Sequence, residues 1–244
     1  MAAPGTIRLN RDFEIRQHKI DDENVCVIVD DFLLDPEALV DFAEDNADRF
    51  LVPEIGYPGP LLNLDPSILH DLHRFVLRRM GSLYSYLRSG ATIGTGLSMT
   101  TFQPHQLSTF QRLCHIDPRT EMDRRQYAAL VYLYANEELG GTAFYRWKQP
   151  KVIEQALELE YQDPVSAMAF LAEHSATFRK PAQYMTESSE LAELISVIPP
   201  RFNRLIFYSG EIPHSGHITS PDLLSTDFRQ GRLTLNCFAN VFPR

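Results

Sequence analysis

The spacing of hydrophobic residues predicts helices and one strand in the first ninety residues. Residues 26–30 form a short β-branched run that is typical of a strand. Asp-Pro pairs at 35–36 and 65–66 each precede apolar positions at helical spacing, which predicts helices that begin there. The second helix is long and extends to Leu87. Prolines and glycines at 51–65 predict a loop. No pattern in the first ninety residues predicts a catalytic or metal-binding site.

From residue 96 the hydrophobic pattern changes to strands. Strands are predicted at 97–103, 107–114, 127–134, 142–147, 203–208 and 231–242. The run at 127–134 is unbroken and apolar, as in strands that are buried on both faces. Between these strands, residues 148–200 carry helical patterns at 152–157, 163–171 and 188–194. We interpret 148–200 as a helical insertion that is either a lid over the substrate entrance or a dimer contact.

The composition is that of a soluble globular protein. The 244 residues suit a single domain, with 1–95 as N-terminal support and 96–244 as the core that contains the insertion. The net charge of −9 and the absence of a Lys/Arg run argue against nucleic acid or a membrane as partner. The three cysteines are too few for a disulfide framework. Neither a signal peptide nor an apolar membrane span is expected, which predicts a cytoplasmic protein.

The candidate chemistry begins with His115 and Asp117, two residues apart at the end of a predicted strand. On an extended backbone such residues point to the same face, so that both can reach one ion. His214 is the best third ligand. Two histidines and a carboxylate on one face of an octahedron leave three positions open, as in non-haem Fe(II) oxygenases. A lone His-x-Asp triplet is weak evidence, because such triplets occur by chance on protein surfaces.

Further motifs follow in order along residues 97–242. They are Val131-Tyr132-Leu133, Gly140-Gly141-Thr142-Ala143-Phe144, Asn203-Arg204-Leu205-Ile206-Phe207, His214 and Arg232-x-Thr234. Together with His115-x-Asp117, this series resembles the catalytic core of the Fe(II)/2-oxoglutarate-dependent dioxygenases, nearest the prolyl-hydroxylase-like branch. The spacings between the motifs suit that family.

The resemblance implies a mainly β fold with α: a double-stranded β-helix (jelly-roll, cupin-like) core buttressed by N-terminal helices and the insertion. It also implies an oxygenase of the hydroxylase type that uses Fe(II), 2-oxoglutarate and O₂. The implied catalytic metal ligands are His115, Asp117 and His214, and the implied co-substrate ligands are Arg232, Thr234 and Tyr132. The presence of Asp117 argues against halogenation, because halogenating relatives carry a small residue there.

Several neighbouring residues offer alternatives to these assignments. Arg229 is a rival anchor for the far carboxylate of 2-oxoglutarate, but it falls in a predicted loop. His217 is a tempting fourth ligand, for which we expect an indirect role. Cys114 is expected to point away from the ligand face. His105 and His174 have no partner pattern and are interpreted as structural.

Two other functions are left open at this point. One is a non-catalytic jelly-roll protein that holds a metal such as Zn(II), and the other is an interaction protein with a degenerate site. The substrate of an enzyme would be a peptide, an amino acid or a small metabolite, and Tyr145 and Trp147 are interpreted as part of its pocket wall. A homodimer is also left open.

Overall fold

The structure is a computed structural model that describes residues 7–54, 56–80, 87–117 and 124–243. Its strands are β1 (Ile15–Lys19), β2 (Val25–Val29), β3 (Leu61–Asn63), β4 (Leu87–Thr100), β5 (Arg125–Tyr132), β6 (Thr142–Trp147), β7 (Ala192–Ile198), β8 (Arg204–Ser209), β9 (His214–Gly216) and β10 (Arg232–Pro243). Its α-helices are α1 (Glu37–Asp45), α2 (His70–Arg74), which continues as a π-helix over Phe75–Met80, α3 (Pro150–Gln162) and α4 (Pro164–His174). The predicted mainly β fold with helices is confirmed at this level.

The strands form two antiparallel sheets. The larger sheet has the order β1-β2-β8-β5-β10-β4-β3, and the smaller sheet has the order β7-β6-β9. Every pair of neighbouring strands is antiparallel. The most extensive pairing joins β10 to β4, from Arg232 opposite Thr100 to Pro243 opposite Leu87. The centre of the larger sheet is therefore built from strands that are distant in sequence.

The outer face of the larger sheet packs on the N-terminal helices. Alternation along β10 turns Leu233 and Leu235 to this face, where they join one apolar cluster with Leu39 of α1 and Leu72 of α2. Each such side chain is buried and stabilises the fold by about 1.5–3 kcal/mol. The helices thus buttress the sheet, and they leave the even-numbered positions of β10 on the other face.

The inner face of the larger sheet meets the smaller sheet. Ile28, Tyr132 and Ile206 of the larger sheet form one buried cluster with Phe144 of β6 and Ile198 of β7. The central strand β5 contributes to both this cluster and the outer one, as its unbroken apolar run predicts. The space between the sheets is therefore filled at one end by aromatic and aliphatic side chains.

The N-terminal elements differ most from the sequence-based expectations. The predicted helix to Leu87 ends within the described residues at Met80, and Leu87 already begins β4. The reason is tertiary, since β4 pairs along its length with β10, a partner that a local pattern does not reveal. The strands β1 and β3 were not predicted, and β3 lies inside the predicted loop. Part of the predicted helix, at Leu83 and Tyr84, lies outside the described residues.

Two further predictions of local structure are wrong. Residues 107–114 are not a strand, because a 3₁₀ turn at Pro104–Gln106 precedes the segment directly and a second 3₁₀ turn at Phe110–Arg112 lies within it. The first turn is closed by the Gln106 side chain, which accepts a hydrogen bond from the Gln103 backbone at 2.8 Å. The predicted short helix at 188–194 is also wrong, since Ala192–Ile198 pairs with β6. Residues 118–123 of the predicted loop lie outside the described residues.

The helical insertion contacts the segment that leads to His115. Leu113 packs in one cluster with Ile153 of α3 and Leu171 of α4. The Arg112 guanidinium donates hydrogen bonds to the carbonyls of Thr177 (3.1 Å) and Lys180 (3.2 Å). The insertion therefore supports the backbone of the candidate site. Across the described ranges, none of the helices has the length and apolar character that spanning a bilayer requires.

One carboxylate connects three strands at the edge of the larger sheet. Asp30, directly after β2, accepts hydrogen bonds from Arg204 Nε (2.5 Å) and Nη2 (3.1 Å) and from Arg16, and Arg201 lies 3.4 Å away. Partial burial raises the pKa of Asp30, but the hydrogen bond and charge of Arg204 outweigh it and hold the pKa below its usual value. Asp30 is therefore expected to stabilise the contact between β1, β2 and β8.

We predict that Asp30→Asn lowers the free energy of unfolding by about 1–3 kcal/mol at neutral pH, because Arg204 loses a charged acceptor. The folded pKa of Asp30 lies below the unfolded one, so this stabilisation is present above about pH 4 and is lost as the pH falls through the folded pKa. Urea denaturation from pH 3 to 8 measures it. The control is Asp22→Asn, whose side chain is 96% exposed in its pair with Lys19 and should matter little. Equal effects of the two changes would contradict the prediction.

Candidate metal centre

His115 is held beside His214 by the backbone. The His115 N–H donates to the His214 carbonyl at 3.0 Å, and the His214 N–H donates to the His115 carbonyl at 2.8 Å. This isolated antiparallel bridge adds His115 to the edge of the smaller sheet, beside β9. The strand predicted to precede His115 is absent from the structure, but the local extended geometry on which the ligand argument rests is present. Asp117 is fixed in turn, since its N–H donates to the Gly210 carbonyl at 2.8 Å.

The three predicted metal ligands meet at one point. His115, Asp117 and His214 each offer a ligand atom, and these atoms all lie within 4.8 Å of one another. The rings of the two histidines have centroids 4.6 Å apart, and His214 Nε2 lies 3.7 Å from Asp117 Oδ1. His214 Nδ1 bonds to the Ile212 carbonyl at 2.8 Å. We therefore assign the proton to Nδ1, which leaves the Nε2 lone pair facing the other two ligands.

Burial shapes the protonation states of the three side chains. Burial lowers the pKa of His214 to about 4. It also lowers the pKa of His115, whose side chain is accessible from the cavity. Burial also raises the pKa of Asp117 to about 6, and the electrostatic interaction with His115 offsets this rise only in part. At neutral pH the site thus offers two neutral imidazoles and a poorly stabilised carboxylate.

The Asp117 carboxylate shows that these residues fit a cation. Asp117 is 5% exposed, and its Oδ2 atom has no hydrogen-bond partner among the described residues. A buried charged oxygen without a partner is costly, and native structures rarely retain one without a reason. A divalent cation would supply the missing partner. Two imidazoles and one carboxylate are a donor set that suits Fe(II) and other divalent transition metals.

Gly210 makes room for this carboxylate. A Cβ atom at Gly210 would overlap Asp117 Oδ2 and lie only 3.0 Å from Asp117 Cγ. Gly210 follows β8 and is itself fixed by a hydrogen bond from its N–H to the Gln126 carbonyl at 2.9 Å. The absence of a side chain at residue 210 is therefore a condition for the position of Asp117.

Arg232 is a buried cation in the same cavity. It is 4% exposed and lines a cavity of about 330 Å³ together with all three candidate ligands. Its Nε, Nη1 and Nη2 atoms donate to the Gly140 carbonyl (3.2 Å), Thr100 Oγ1 (3.1 Å) and the Gly141 carbonyl (2.9 Å). A guanidinium has five N–H donors, so one on each terminal nitrogen is left.

Within the described ranges, the charge of Arg232 is not neutralised by a carboxylate. No carboxylate of the described residues forms an ion pair with it, and all three of its bonded acceptors are uncharged. Two N–H groups of a guanidinium can bind the two oxygens of one carboxylate. Arg232 therefore places a positive charge inside the cavity that holds the candidate metal ligands.

The other two predicted co-substrate residues lie at different depths. Thr234 lines the cavity, and its Oγ1 accepts a hydrogen bond from Asn236 Nδ2 at 3.1 Å. Tyr132 is fully buried, and its hydroxyl lies 2.8 Å from Thr142 Oγ1. Thr142 lines the cavity, whereas Tyr132 does not. The structure thus brings Thr234 together with Arg232 and the candidate metal ligands, and it leaves Tyr132 one layer behind them.

The alternative ligands considered from the sequence are not among the residues that line the cavity. Arg229 is exposed and forms ion pairs with Asp41 and Glu44 of α1. His217 Nε2 bonds to the Thr186 carbonyl at 3.2 Å. Cys114 is buried in a separate cluster, opposite to the ligand face.

The two aromatic residues predicted to form the pocket wall line a different cavity. Tyr145 and Trp147 line a second cavity of about 580 Å³, together with Ile116. On an extended backbone Ile116 points opposite to His115 and Asp117. These aromatic side chains therefore do not line the cavity that contains the candidate metal ligands.

Sequence reasoning missed residues that line or support the cavity. Tyr57 lies in the predicted loop, where no chemistry was expected, and it lines the cavity. Gly140 and Gly141 belonged to the motif series but were not predicted as site residues, yet their carbonyls accept hydrogen bonds from Arg232. The Gly-Gly pair was a visible signal, but nothing local indicates which side chain its carbonyls accept from.

Comparisons with known proteins give one family match. A family model described as "Family of unknown function (DUF6445)" matches residues 11–239. A search of curated proteins found no significant match.

The solved structures found by comparison are distant. A Pseudomonas putida prolyl-4-hydroxylase is 16% identical, with 86% of each chain covered and a TM-score of 0.41. A viral collagen prolyl hydroxylase from Paramecium Bursaria Chlorella virus-1, solved as a 2OG complex, is 11% identical over 85% of this chain and 89% of that chain, with a TM-score of 0.42. HygX from Streptomyces hygroscopicus, with nickel and 2-oxoglutarate bound, is 12% identical over 88% and 82%, with a TM-score of 0.43. These similarities are too low to establish a shared fold or activity.

We predict that Gly210→Ala weakens Mn(II) binding about 10- to 100-fold, because the new methyl group displaces the Asp117 carboxylate. Isothermal titration of the purified protein with Mn(II) measures the affinity, and circular dichroism checks the fold. The matched control is Gly94→Ala in the same cavity, where an added Cβ meets no atom within 4 Å. Wild-type affinity in Gly210→Ala would contradict the geometry described for Asp117.

Proposed function

The chain belongs to the family of unknown function whose model spans residues 11–239, and we propose that it is an Fe(II)- and 2-oxoglutarate-dependent oxygenase of the hydroxylase type. One observation carries the proposal: two unneutralised charges share one cavity in the described part of the chain. The first is the Asp117 carboxylate, whose Oδ2 atom has no hydrogen-bond partner among the described residues and which lies beside two imidazoles. The second is the Arg232 guanidinium, which has no counter-ion within those residues. The first needs a cation and the second needs an anion. A divalent metal ion would satisfy the carboxylate. The second carboxylate of an oxo acid bound to that metal would satisfy the guanidinium.

Each group of residues has a distinct task in this proposal. His115, Asp117 and His214 would hold Fe(II) through two neutral nitrogens and a carboxylate oxygen. Arg232 would bind the far carboxylate of 2-oxoglutarate through its two remaining N–H groups. Thr234, which lies on the same face of β10 and lines the same cavity, would offer its hydroxyl to that carboxylate. Bound Fe(II), with 2-oxoglutarate and O₂, supplies the oxidation that hydroxylates a C–H bond.

The open cavity favours this function over a purely structural metal site. Structural zinc sites are closed by four protein ligands, whereas the part of the chain that the structure describes gives this site three candidate ligands that face a cavity. A buried guanidinium in the same cavity has no role in a metal site without a ligand. The alternative of a non-catalytic jelly-roll metal-binding protein therefore leaves Arg232 unexplained.

For the fold we propose that the two sheets form a double-stranded β-helix. The antiparallel pairing throughout, the apolar cluster between the sheets and the site between them support this architecture. The single-domain organisation, the cytoplasmic location and the small-molecule or peptide substrate stay predictions from the sequence. So do the lid or dimer role of the insertion and the absence of nucleic-acid and membrane partners.

The proposal is tested by 2-oxoglutarate binding and turnover. We expect protein loaded with Fe(II) without oxygen to bind 2-oxoglutarate with a new visible absorption band, and to release succinate once O₂ and a library of peptides, amino acids and metabolites are added. His115→Ala should lose both signals together with the bound metal. Protein that retains Zn(II) and shows no 2-oxoglutarate binding would overturn the proposal and favour the non-catalytic alternative.

We predict that Arg232→Gln weakens 2-oxoglutarate binding by at least about 100-fold, since the buried charge and both free N–H groups on the terminal nitrogens are lost. Mn(II) affinity should change little, because Arg232 is not a candidate metal ligand. Titration of the Mn(II)-loaded protein with 2-oxoglutarate measures the effect. The control is Arg229→Gln, an exposed arginine near the start of the same strand, which should bind 2-oxoglutarate like the wild type. Similar losses in both variants would argue against an anchor at residue 232.

A further inference from the structure

Tyr57 lies near Arg232 although it comes from the N-terminal part of the chain. It lines the cavity that contains Arg232, and its hydroxyl lies 2.7 Å from Thr100 Oγ1. Thr100 Oγ1 also accepts the hydrogen bond from Arg232 Nη1. The tyrosine hydroxyl is therefore joined to the buried guanidinium through a single oxygen atom.

The hydroxyl groups of Tyr57 and Thr100 carry two protons, and the hydrogen bond between them uses only one. Thr100 Oγ1 already accepts a hydrogen bond from the Arg232 cation, which polarises the threonine O–H bond. We therefore expect Thr100 to donate its own proton to the Tyr57 oxygen. The remaining proton is then on the Tyr57 hydroxyl, and Tyr57 lines the cavity whereas Thr100 does not. This leaves an O–H donor on a residue that lines the same cavity as Arg232.

The loop around Tyr57 holds this hydroxyl in a fixed position. The Pro58 carbonyl accepts from the N–H groups of Thr101 (3.1 Å) and Phe102 (3.2 Å), and the Pro60 carbonyl accepts from Met99 (2.9 Å). Two prolines suit positions where only carbonyls are needed, since proline has no N–H group to satisfy. The loop packs against the end of β4 in a defined conformation.

Gly59 permits the closest part of this packing. A Cβ atom there would overlap the Met99 carbonyl and lie 2.9 Å from the Thr101 nitrogen, and the φ of +152° disfavours other residues. On the other side of Tyr57, the Gly56 carbonyl accepts from Gln111 Nε2 at 2.9 Å. The proline- and glycine-rich composition of the loop is thus explained by the need to bring Tyr57 to the cavity.

We infer that the Tyr57 hydroxyl donates a hydrogen bond to the far carboxylate of 2-oxoglutarate, beside the two N–H groups of Arg232. The inference rests on the proposed function. It makes Tyr57 a binding residue supplied from outside the predicted core, and it gives the loop before β3 a direct part in co-substrate binding. A purely structural Tyr57 would bond to Thr100 and have no effect that depends on the ligand.

The test compares two ligands on one variant. Tyr57→Phe removes only the hydroxyl, and Mn(II)-loaded protein is titrated with 2-oxoglutarate and with 2-oxobutyrate, which lacks the far carboxylate. We expect about tenfold weaker binding of 2-oxoglutarate, or about 1.4 kcal/mol, with unchanged binding of 2-oxobutyrate. The matched control is Tyr184→Phe, whose hydroxyl bonds to the Phe102 carbonyl at 2.7 Å outside the cavity, and it should bind both ligands like the wild type.

The outcomes separate this inference from the function on which it rests. Unchanged 2-oxoglutarate affinity in Tyr57→Phe, with binding by the wild type, overturns the inference alone. An equal loss for both ligands also overturns it, since a structural defect would weaken both. A wild-type protein that does not bind 2-oxoglutarate overturns the proposed function and the inference together. The 2-oxobutyrate affinity of each variant reports that the metal site is intact.

Discussion

Two opposite charges are buried in one cavity of this protein, and within the described residues neither is neutralised by a side chain. The Asp117 carboxylate has an oxygen without a partner, and the Arg232 guanidinium is bonded only to uncharged acceptors. Burying either charge alone costs several kcal/mol. The two are held by different elements and do not form an ion pair with each other. The structure is therefore best understood as a scaffold that keeps these charges available for ligands.

The scaffold achieves this separation through simple rules of β-structure. Alternation along β10 places Arg232 and Thr234 in the cavity while Leu233 and Leu235 anchor the strand on the N-terminal helices. Reciprocal backbone bonds between His115 and His214 bring the two imidazoles side by side at the edge of the smaller sheet. The larger sheet thus orients Arg232 and Thr234, and the backbone of the smaller sheet positions the two histidines.

The sequence indicated which residues meet in one cavity better than it predicted the local structure. His115 and Asp117 were identifiable from their spacing and their ligand atoms, whereas Arg232 was identified through the motif series that resembles a known family. The turns before His115 were missed because polar side chains close them locally, and the start of β4 was missed because its partner is distant in sequence. Gly210 and Tyr57 were beyond local reasoning, since the importance of each depends on one contact with a residue far along the chain.

The most direct test of this account is a crystal structure of the protein grown with Mn(II) and 2-oxoglutarate without oxygen, with anomalous diffraction measured for manganese. The account predicts one anomalous peak enclosed by His115, Asp117 and His214, and a ligand carboxylate against the Arg232 guanidinium. An anomalous peak at another site, or Arg232 with no anion in a crystal that contains both components, would contradict it.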